Sequence, residues 1–489
     1  MRKWGLVLAA LGLSACPIYG SLGYWEQVGA GATSGAAGSG GAGSTSTSMS
    51  TASTTGTGGA EDCSPSSLGT GAPGWSQGYG GPSGATSVAI DAAGDLVVVG
   101  DYQDPIDFGC GPLTNSGSLD MFVAKLSPTG ACMWSQGFGG SMAQVTSMTL
   151  DAAGDVFVAG SFQGSIDFGA TTLTSAGMGN MFVVKLDPSG APTWSKGFGN
   201  GQSQVASVAV DAEGNVVMIG NFQGSLDFGG NTTVLEAGTG YALFVAKLDP
   251  TGNPIWSKGF ANVGAASVAV DAMGDAVVTG EFTDSFDFGG CTLTTTAPNN
   301  GFVAKLDPSG ACAWNKVLGT ALATAVAVDA DGKVIVTGAF TGSMNLGGST
   351  FTSTPGMANM FVAELDPGGT HLWSKGFPGG EASPLSVAVD ASGDVFVTGA
   401  LAGTVDFGGP TPLTSTGGND VLLASFDPSG NYRWANRFGN QQDQAGSGVA
   451  VDTSCHVVIV GDFQGTVDFG GNPLVSTGGS DTFVATFDR

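Results

Sequence analysis

The stretch MFVVKLDPSGAPTWSKGF, residues 181–198, contains the features that decide the fold. Two runs rich in β-branched and aromatic residues flank Asp187-Pro188-Ser189-Gly190. In such a turn Asp opens the bend, Pro sets φ at the second position and Gly supplies a positive φ. The pattern therefore predicts an antiparallel hairpin, with strands over 181–187 and 192–198.

A second hairpin pattern accompanies the first in every repeat. Its strands are typified by SVAVD (207–211) and DVFVAGSF (155–162), joined by a short Asp-x-x-Gly turn. The first Asp of this turn recurs every 58 to 62 residues, at Asp91, Asp151, Asp211, Asp271, Asp329 and Asp390, and in the seventh repeat as Asp452-Thr-Ser-Cys-His. Tryptophan follows the same period, at Trp75, Trp134, Trp194, Trp256, Trp314, Trp373 and Trp434.

Four short antiparallel strands per unit, repeated seven times, predict an all-β, seven-bladed β-propeller. The seventh unit reaches FVATFDR and lacks the Trp strand, with Asp488 where its turn should begin. A spare Trp strand, WSQGYG, stands ahead of the first unit at 75–80. We expect it to be the outer strand of the seventh blade, a three-plus-one closure that leaves no orphan edge.

The repeated motifs resemble those of the bacterial SBBP β-propeller repeat family and, more loosely, NHL-type blades. The resemblance rests on W-S-x-G-[FY]-G, S-V-A-[VI]-D, D-x-x-G-[DN] and V-x-G-x-F, and covers residues 75–489. It implies a bacterial envelope or extracellular propeller, in a family whose molecular activity is generally unassigned.

The N-terminus predicts export. Arg2 and Lys3 precede an apolar run that is too short to span a bilayer, which is typical of a signal peptide over residues 1–15. The segment LSAC, residues 13–16, resembles the lipobox of bacterial lipoproteins, which implies cleavage before Cys16 and lipid attachment to its thiol. Pro17 favours the outer membrane by resemblance to Gram-negative sorting rules. Residues 16–73 are then a lipidated, Gly/Ser/Thr/Ala-rich flexible tether, and residues 74–489 the propeller.

Cysteine positions give an independent expectation. Cys110 and Cys132 follow Asp91 at nearly the same offsets as Cys291 and Cys312 follow Asp271, so each pair is predicted to form a disulfide. Cys63 and Cys455 remain, and we predict a third bridge between them that fastens the closing strand. With Cys16 lipidated, all seven cysteines are used, as in an oxidising compartment.

Charge limits the classes of partner. The chain carries 40 acidic and 14 basic residues, a net charge of −26, which repels nucleic acid. We therefore expect no nucleic-acid partner, and a monomer that meets the membrane only through its lipid. With two histidines in all, a histidine-rich metal centre is excluded.

The best candidate site lies on the face that carries the long connections, because function concentrates on long loops over a rigid scaffold. The I-D-F-G motif places an acidic ring there, with Asn345 at the remaining position: Asp107, Asp167, Asp227, Asp287, Asp406 and Asp468. Such a ring could bind calcium or sugar hydroxyls. The alternative is that each Asp caps its own turn, which sevenfold repetition favours.

No catalytic constellation is evident: G-x-S-x-G, H-E-x-x-H and phosphate-binding Gly loops are absent from the sequence. We therefore expect no catalytic residue and no obligatory cofactor. The leading hypothesis is an envelope lipoprotein whose propeller is a non-enzymatic binding scaffold for protein or glycan. The alternative is an extracellular carbohydrate-active hydrolase or lyase that uses carboxylates on the long-loop face, where the region around Glu236 departs most from the other repeats.

Overall fold

The computed structural model describes residues 70–489 except 170, 176–178, 200–201, 231, 296–298, 455 and 478. Regular structure in this part of the chain consists of antiparallel β-strands. Among these residues, no helix is long and apolar enough to cross a membrane.

The strands follow one another in chain order with short connections. The first are β1 (Pro73–Tyr79), β2 (Ser83–Ile90), β3 (Leu96–Tyr102), β4 (Ile106–Asp107), β5 (Pro112–Leu113), β6 (Asp120–Leu126), β7 (Cys132–Leu150), β8 (Val156–Asp167), β9 (Thr172–Thr174), β10 (Asn180–Leu186), β11 (Pro192–Phe198) and β12 (Ser203–Val210). Next come β13 (Val216–Leu226), β14 (Leu235–Leu248), β15 (Pro254–Ala261), β16 (Val263–Val270), β17 (Ala276–Phe282), β18 (Phe286–Asp287), β19 (Thr292–Leu293), β20 (Asn300–Leu306), β21 (Cys312–Gly319), β22 (Ala321–Val328), β23 (Val334–Phe340), β24 (Ser343–Asn345) and β25 (Thr350–Thr352). The last are β26 (Asn359–Leu365), β27 (His371–Phe377), β28 (Gly379–Val389), β29 (Val395–Val405), β30 (Leu413–Thr414), β31 (Asp420–Phe426), β32 (Tyr432–Phe438), β33 (Gln444–Val451), β34 (His456–Phe463), β35 (Thr466–Val467), β36 (Leu474–Val475) and β37 (Asp481–Asp488).

The long strands form four-stranded units, which we number as sheets. Their orders are β2-β3-β6-β7 (sheet 1), β7-β8-β10-β11 (sheet 2), β12-β13-β14-β15 (sheet 3), β16-β17-β20-β21 (sheet 4), β22-β23-β26-β27 (sheet 5), β28-β29-β31-β32 (sheet 6) and β33-β34-β37-β1 (sheet 7). Sheets 1 and 2 share β7, because its first half pairs with β6 and its second half with β8. The short strands form ribbons in the connections after the second strand of a sheet.

The predicted strands are present, with shifted ends. In sheet 2 the second strand continues to Asp167, beyond the predicted end at 162, because it pairs there with β9. Part of the connection expected to be a loop is therefore a narrow ribbon. The third strand begins one residue earlier than predicted, at Asn180.

The glycine of the V-x-G-x-F motif has a steric cause. At Gly100 in β3, a Cβ would lie 2.1 Å from the carbonyl oxygen of Gly84 on the neighbouring β2. Gly160 and Gly220 stand similarly close to the first strands of sheets 2 and 3. Only glycine permits this approach of two backbones.

The hydrophobic core lies between sheets rather than at one centre. Each cluster combines residues of two neighbouring sheets, such as Phe157 and Met181 of sheet 2 with Phe222 and Phe244 of sheet 3. The first strand of each sheet contacts the first strand of the next, and β33 of sheet 7 contacts β2 of sheet 1. Sheet 7 also shares a core cluster with sheet 1.

Strand β1 completes sheet 7. It runs antiparallel to β37, with Ser76 opposite Ala485 and Tyr79 opposite Thr482. The fold here begins before the predicted boundary at residue 74, since β1 starts at Pro73 and the Ala72 carbonyl accepts a hydrogen bond from the Asp488 N–H, at 2.8 Å.

Two disulfides pair as the repeat offsets predict. Cys110 bonds to Cys132 and Cys291 to Cys312, with Cα atoms 5.7 and 5.9 Å apart. Each bridge joins the connection after the second strand to the outer strand of the same sheet. The predicted Cys63–Cys455 bridge and the lipidated Cys16 lie outside the described residues.

Candidate functional site

The two ends of the strands form two different faces. On the turn face, the two short turns of one sheet lie side by side. Gly94 is next to Pro128, and Gly214 is next to Pro250. On the opposite, excursion face, the connection within a sheet hydrogen-bonds to the connection that leaves it. In sheet 6, for example, the Thr416 hydroxyl, between β30 and β31, donates to the Asn440 carbonyl, between β32 and β33, at 2.8 Å. The long connections therefore share one face, as the sequence predicts.

Carboxylates on the turn face form hydrogen bonds and ion pairs within their own sheet. Asp271 Oδ1 accepts hydrogen bonds from the N–H groups of Met273 and Asp275, at 2.9 and 3.0 Å, which fixes the Asp-x-x-Gly turn. Lys305 Nζ, from the third strand of the same sheet, lies 2.7 Å from Asp271 Oδ2 and 3.1 Å from Asp275 Oδ2. The turn and the third strand are thus tied by charge.

The same lysine position is occupied in sheets 1 to 4, by Lys125, Lys185, Lys247 and Lys305. Burial by itself lowers the pKa of Lys305, but its hydrogen bonds to Asp271 and Asp275 outweigh this and raise the pKa above the ordinary value. The ammonium group therefore remains charged at neutral pH. The repeated Lys in M-F-V-A-K-L was the sequence signal for this network, and sequence reasoning missed it.

Sheets 5 to 7 depart from the lysine pattern. In sheet 5 the charges are exchanged, with Glu364 at the lysine position and Lys333 in the turn, 3.5 Å apart. Sheet 6 has Ser425 and sheet 7 Thr486 at this position. At this position, the departures from the repeat therefore lie in the last three sheets.

Tryptophans of the outer strands connect neighbouring sheets. Trp194 Nε1 of sheet 2 donates to the Pro250 carbonyl in the turn of sheet 3, at 3.0 Å. Trp75 on β1 makes the equivalent bond to Pro128 of sheet 1, at 2.8 Å. These tryptophans therefore link neighbouring sheets by hydrogen bonds.

The predicted acidic ring consists of turn-capping residues. Each member accepts a hydrogen bond from the backbone N–H two residues later, and each is exposed: Asp107, Asp167, Asp227, Asp287, Asp406 and Asp468, with Asn345 acting in the same way. Hydrogen bonds from Gly290 and Gly289 lower the pKa of Asp287. In the described part of the chain, no group of three or more His, Cys, Asp or Glu residues could hold a metal ion.

Buried acids occupy a position that sequence reasoning missed, the residue between Gly and the aromatic in V-x-G-x-F. Burial raises the pKa of Asp101, Glu281 and Asp462. Asp101 Oδ1 accepts from the Val145 N–H of sheet 2 at 2.8 Å, and Asp462 Oδ2 accepts from Ser480 Oγ at 2.6 Å. The first of these braces adjacent sheets. The signal was the variability of this position within an otherwise constant strand.

Each histidine hydrogen-bonds to a residue near it in sequence. His371 Nε2 is 2.9 Å from Ser374 Oγ, and burial together with the charge of Lys316 lowers its pKa. His456 is exposed, and its Nδ1 is 2.9 Å from Asp452 Oδ2 in the same turn. Both contacts join residues three or four positions apart.

Exposed large apolar side chains occur in three places: in a turn of the turn face (Met273), on the outer strands (Met133, Ile255 and Leu372) and on the excursion face. Val234, Met357 and Val475 lie in the connections of sheets 3, 5 and 7, and Val475 is 65% exposed. Beside Val234, the irregular region around Glu236 is an extension of β14 that pairs with the end of β13. Glu236 itself is exposed and stands opposite Ser225. These three apolar residues and Glu236 all lie on the excursion face.

Comparisons with known proteins give distant similarity. No family model matches the chain. An uncharacterized WD repeat-containing protein of Acanthamoeba polyphaga mimivirus is 27% identical over 155 residues, which is 28% of this chain and 11% of that protein. Among solved structures, the Pan2 WD40 domain of Neurospora crassa aligns with a TM-score of 0.43 and 11% identity, over 83% of this chain and 89% of that one. The Dos1 propeller aligns with a TM-score of 0.41 and 11% identity, over 85% and 94%. The described residues by themselves form an all-β protein of repeated four-stranded antiparallel sheets.

Proposed function

We propose that this chain is a seven-bladed propeller of the bacterial cell envelope that binds a protein partner through its excursion face, without catalysing a reaction. Sheets 1 to 7 are the blades in this proposal. β1 closes the ring in a three-plus-one arrangement, and a lipid on Cys16 holds the molecule at the outer membrane.

The closure is supported by the contacts of β1. Its pairing with β37 places Trp75 at the same point of sheet 7 as Trp194 occupies in sheet 2. Trp75 then bonds to the next turn, that of sheet 1, as Trp194 bonds to the turn of sheet 3. Trp134, Trp256, Trp314 and Trp373 make the same bond to the next sheet, so β1 continues the repeated contact from sheet 7 to sheet 1.

The scaffold role is supported by how the repeated carboxylates are used. The Asp-x-x-Gly aspartates bond to their own turns, and in sheets 1 to 4 to a lysine of the same sheet. The I-D-F-G aspartates also cap turns. These residues are repeated because each sheet needs them, so the partner is expected to contact what differs between sheets.

The observation that carries the proposed partner is the set of exposed apolar side chains on the excursion face, Val234, Met357 and Val475. Removing such groups from water favours association with another protein surface. The lipid and the outer-membrane location rest on the sequence around Cys16. They predict that Cys16→Ala abolishes incorporation of labelled palmitate and releases the protein from the membrane fraction.

A matched pair of triple variants tests the binding surface. A soluble form covering residues 61–489 would be immobilised and exposed to envelope extract of the producing cells. We expect one set of proteins to be retained by wild type and lost from V234D/M357D/V475D. The control M133D/I255D/L372D alters exposed apolar residues of the outer strands and should retain that set. Equal retention by all three proteins would overturn the assignment of the face.

The same soluble protein distinguishes the other candidates. Incubation with envelope and extracellular polysaccharides would be followed for retention of the protein and for release of soluble sugars. Retention by a polysaccharide that the first triple variant loses would indicate a glycan ligand instead of a protein. Released sugars would establish the hydrolase or lyase and contradict the binding-only proposal.

A further inference from the structure

The residue that follows β37 leaves its own sheet. Arg489 extends its guanidinium to the turn between β28 and β29 of sheet 6. Its Nε lies 2.7 Å from Asp394 Oδ2 and 3.1 Å from Asp390 Oδ2. Its Nη2 contacts Asp394 Oδ2 and donates to Ser392 Oγ. One side chain of sheet 7 therefore engages the whole turn of sheet 6.

The turn between β28 and β29 in sheet 6 contains two buried carboxylates, which require cations to neutralise them. The side chain of Asp394 is fully inaccessible and that of Asp390 nearly so. Burying such carboxylates is costly unless cations pair with them. Ser425 stands where sheets 1 to 4 carry the neutralising lysine. Arg433 supplies one cation, with Nη2 2.7 Å from Asp394 Oδ1, and Arg489 supplies the second.

The same end of β37 forms half of a divided turn. Asp488 N–H donates to the Ala72 carbonyl at 2.8 Å, just as Asp187 N–H donates to Ala191 within the continuous turn of sheet 2. Gly71 lies against the Trp434 ring, as Gly190 lies against Trp134. Residues 488–489 and 70–73 thus rebuild, from two distant segments, the turn that the other sheets form from one segment.

In the other sheets the backbone itself joins the two sides of this turn. In sheet 7 the two sides belong to distant segments, so non-covalent contacts hold them together. Trp434 differs accordingly from the other periodic tryptophans. Among the described residues, its indole N–H has no hydrogen-bond partner, whereas Trp373 donates to the Pro428 carbonyl of the next turn at 3.1 Å. The ion pairs of Arg489 are among the described contacts that hold this junction.

We propose that Arg489 is a latch: by pairing with Asp390 and Asp394 it positions the end of β37 so that residues 70–73 and β1 can dock. Arg489 is a positioning residue in this account, and Ser425 is the change that makes sheet 6 its receptor. The inference rests on the proposed closure by β1 and is independent of the proposed partner.

Hydrogen exchange of the full chain in detergent, followed by mass spectrometry, tests the latch. We expect Arg489→Ala to speed exchange of peptides covering 72–81 and 481–488 about tenfold, because local opening controls exchange at a junction that is held by few contacts. Peptides of sheets 2 to 4 should exchange as in wild type. The matched control is Arg437→Ala, which breaks an ion pair with Asp420 inside sheet 6 and should leave peptide 72–81 unchanged.

Rescue separates a latch from a general loss of stability. In Ser425→Lys/Arg489→Ala, a lysine at the position used in sheets 1 to 4 neutralises the carboxylates but cannot hold β37. We expect it to restore the thermal midpoint lost in Arg489→Ala without restoring slow exchange of peptide 72–81. If the double variant does not fold, Arg489→Lys takes its place: it keeps the charge but loses the guanidinium fork, so it should preserve the thermal midpoint better than the slow exchange of peptide 72–81.

Three results would overturn the latch. They are unchanged exchange of peptide 72–81 in Arg489→Ala, equally faster exchange in all sheets, or a double variant in which the introduced lysine restores the slow exchange as well as the midpoint. The proposed closure fails in a different way, if peptide 72–81 of wild type already exchanges as fast as an unpaired chain.

Discussion

Replacing Lys305 with Met removes the cation from a buried triad in sheet 4. The Lys305 side chain is 6% exposed, and its Nζ lies 2.7 and 3.1 Å from carboxylate oxygens of Asp271 and Asp275. Removing one partner of a buried ion pair typically costs about 3–5 kcal/mol. Asp271 keeps two backbone hydrogen bonds in the variant, so we expect the lower end, about 3 kcal/mol.

Urea unfolding followed by tryptophan fluorescence measures this loss, with a matched substitution in sheet 5 as control. Lys333 is 30% exposed and its nearest carboxylate oxygens, of Asp329 and Glu364, are 3.5 Å away. Because Lys333 is more exposed and its contacts are longer, Lys333→Met should lose less stability than Lys305→Met, although Asp329 and Glu364 are themselves buried. If Lys305→Met unfolds at the wild-type midpoint, or if both variants lose equally, the reasoning from burial is refuted.

Alkaline pH, a disulfide and a turn cap provide three more tests of the described contacts. Because the pKa of Lys305 is raised in the folded state, its stabilisation is fully present below about pH 10.4 and is lost at higher pH. The difference in unfolding free energy between wild type and Lys305→Met should therefore persist from pH 7 to 9 and shrink in alkaline urea titrations. A difference that vanishes near pH 8 would contradict this. Replacing Cys110 and Cys132 with Ala removes a disulfide between residues 22 apart and should lower the free energy of unfolding by about 3 kcal/mol in the same assay. A variant as stable as oxidised wild type would show that the bridge does not constrain the chain. Asp167→Ala should cost about 1 kcal/mol or less and leave calcium titration calorimetry unchanged, since the carboxylate caps its own turn; loss of a calcium signal present in wild type would restore the cation-ring hypothesis.

Sequence periodicity was sufficient for the local architecture. The turns Asp-x-x-Gly and Asp-Pro-x-Gly have chemistry that specifies a hairpin by itself, and the alternation of short and long connections placed the long ones on one face. The two disulfides followed from equal offsets in two repeats. The pairing of β1 followed from counting strands, because one Trp strand was spare where the last repeat lacked one.

Contacts between repeats were beyond the same reasoning. A repeat shows which residues recur but not whether Trp194 bonds to its own turn or to the next one, since that depends on how the sheets stack. Arg489 carries no repeat signal at all, because it takes a place that proline holds in the other turns. The sequence predicted an acidic ring in the connections, and the structure shows these carboxylates bonded to their own turns.

Strand β1 bears the central claim, and an engineered cross-link tests it most directly. Ser76 and Ala485 are opposite each other in the antiparallel pair, where Cα atoms lie about 4.5–5.5 Å apart, within the Cα separation that a disulfide spans. We predict that Ser76→Cys/Ala485→Cys, mildly oxidised at low concentration, forms this bond within one molecule, detected as a linked peptide by mass spectrometry. Thiols that both remain free, or that join only between molecules, would contradict a ring closed by β1.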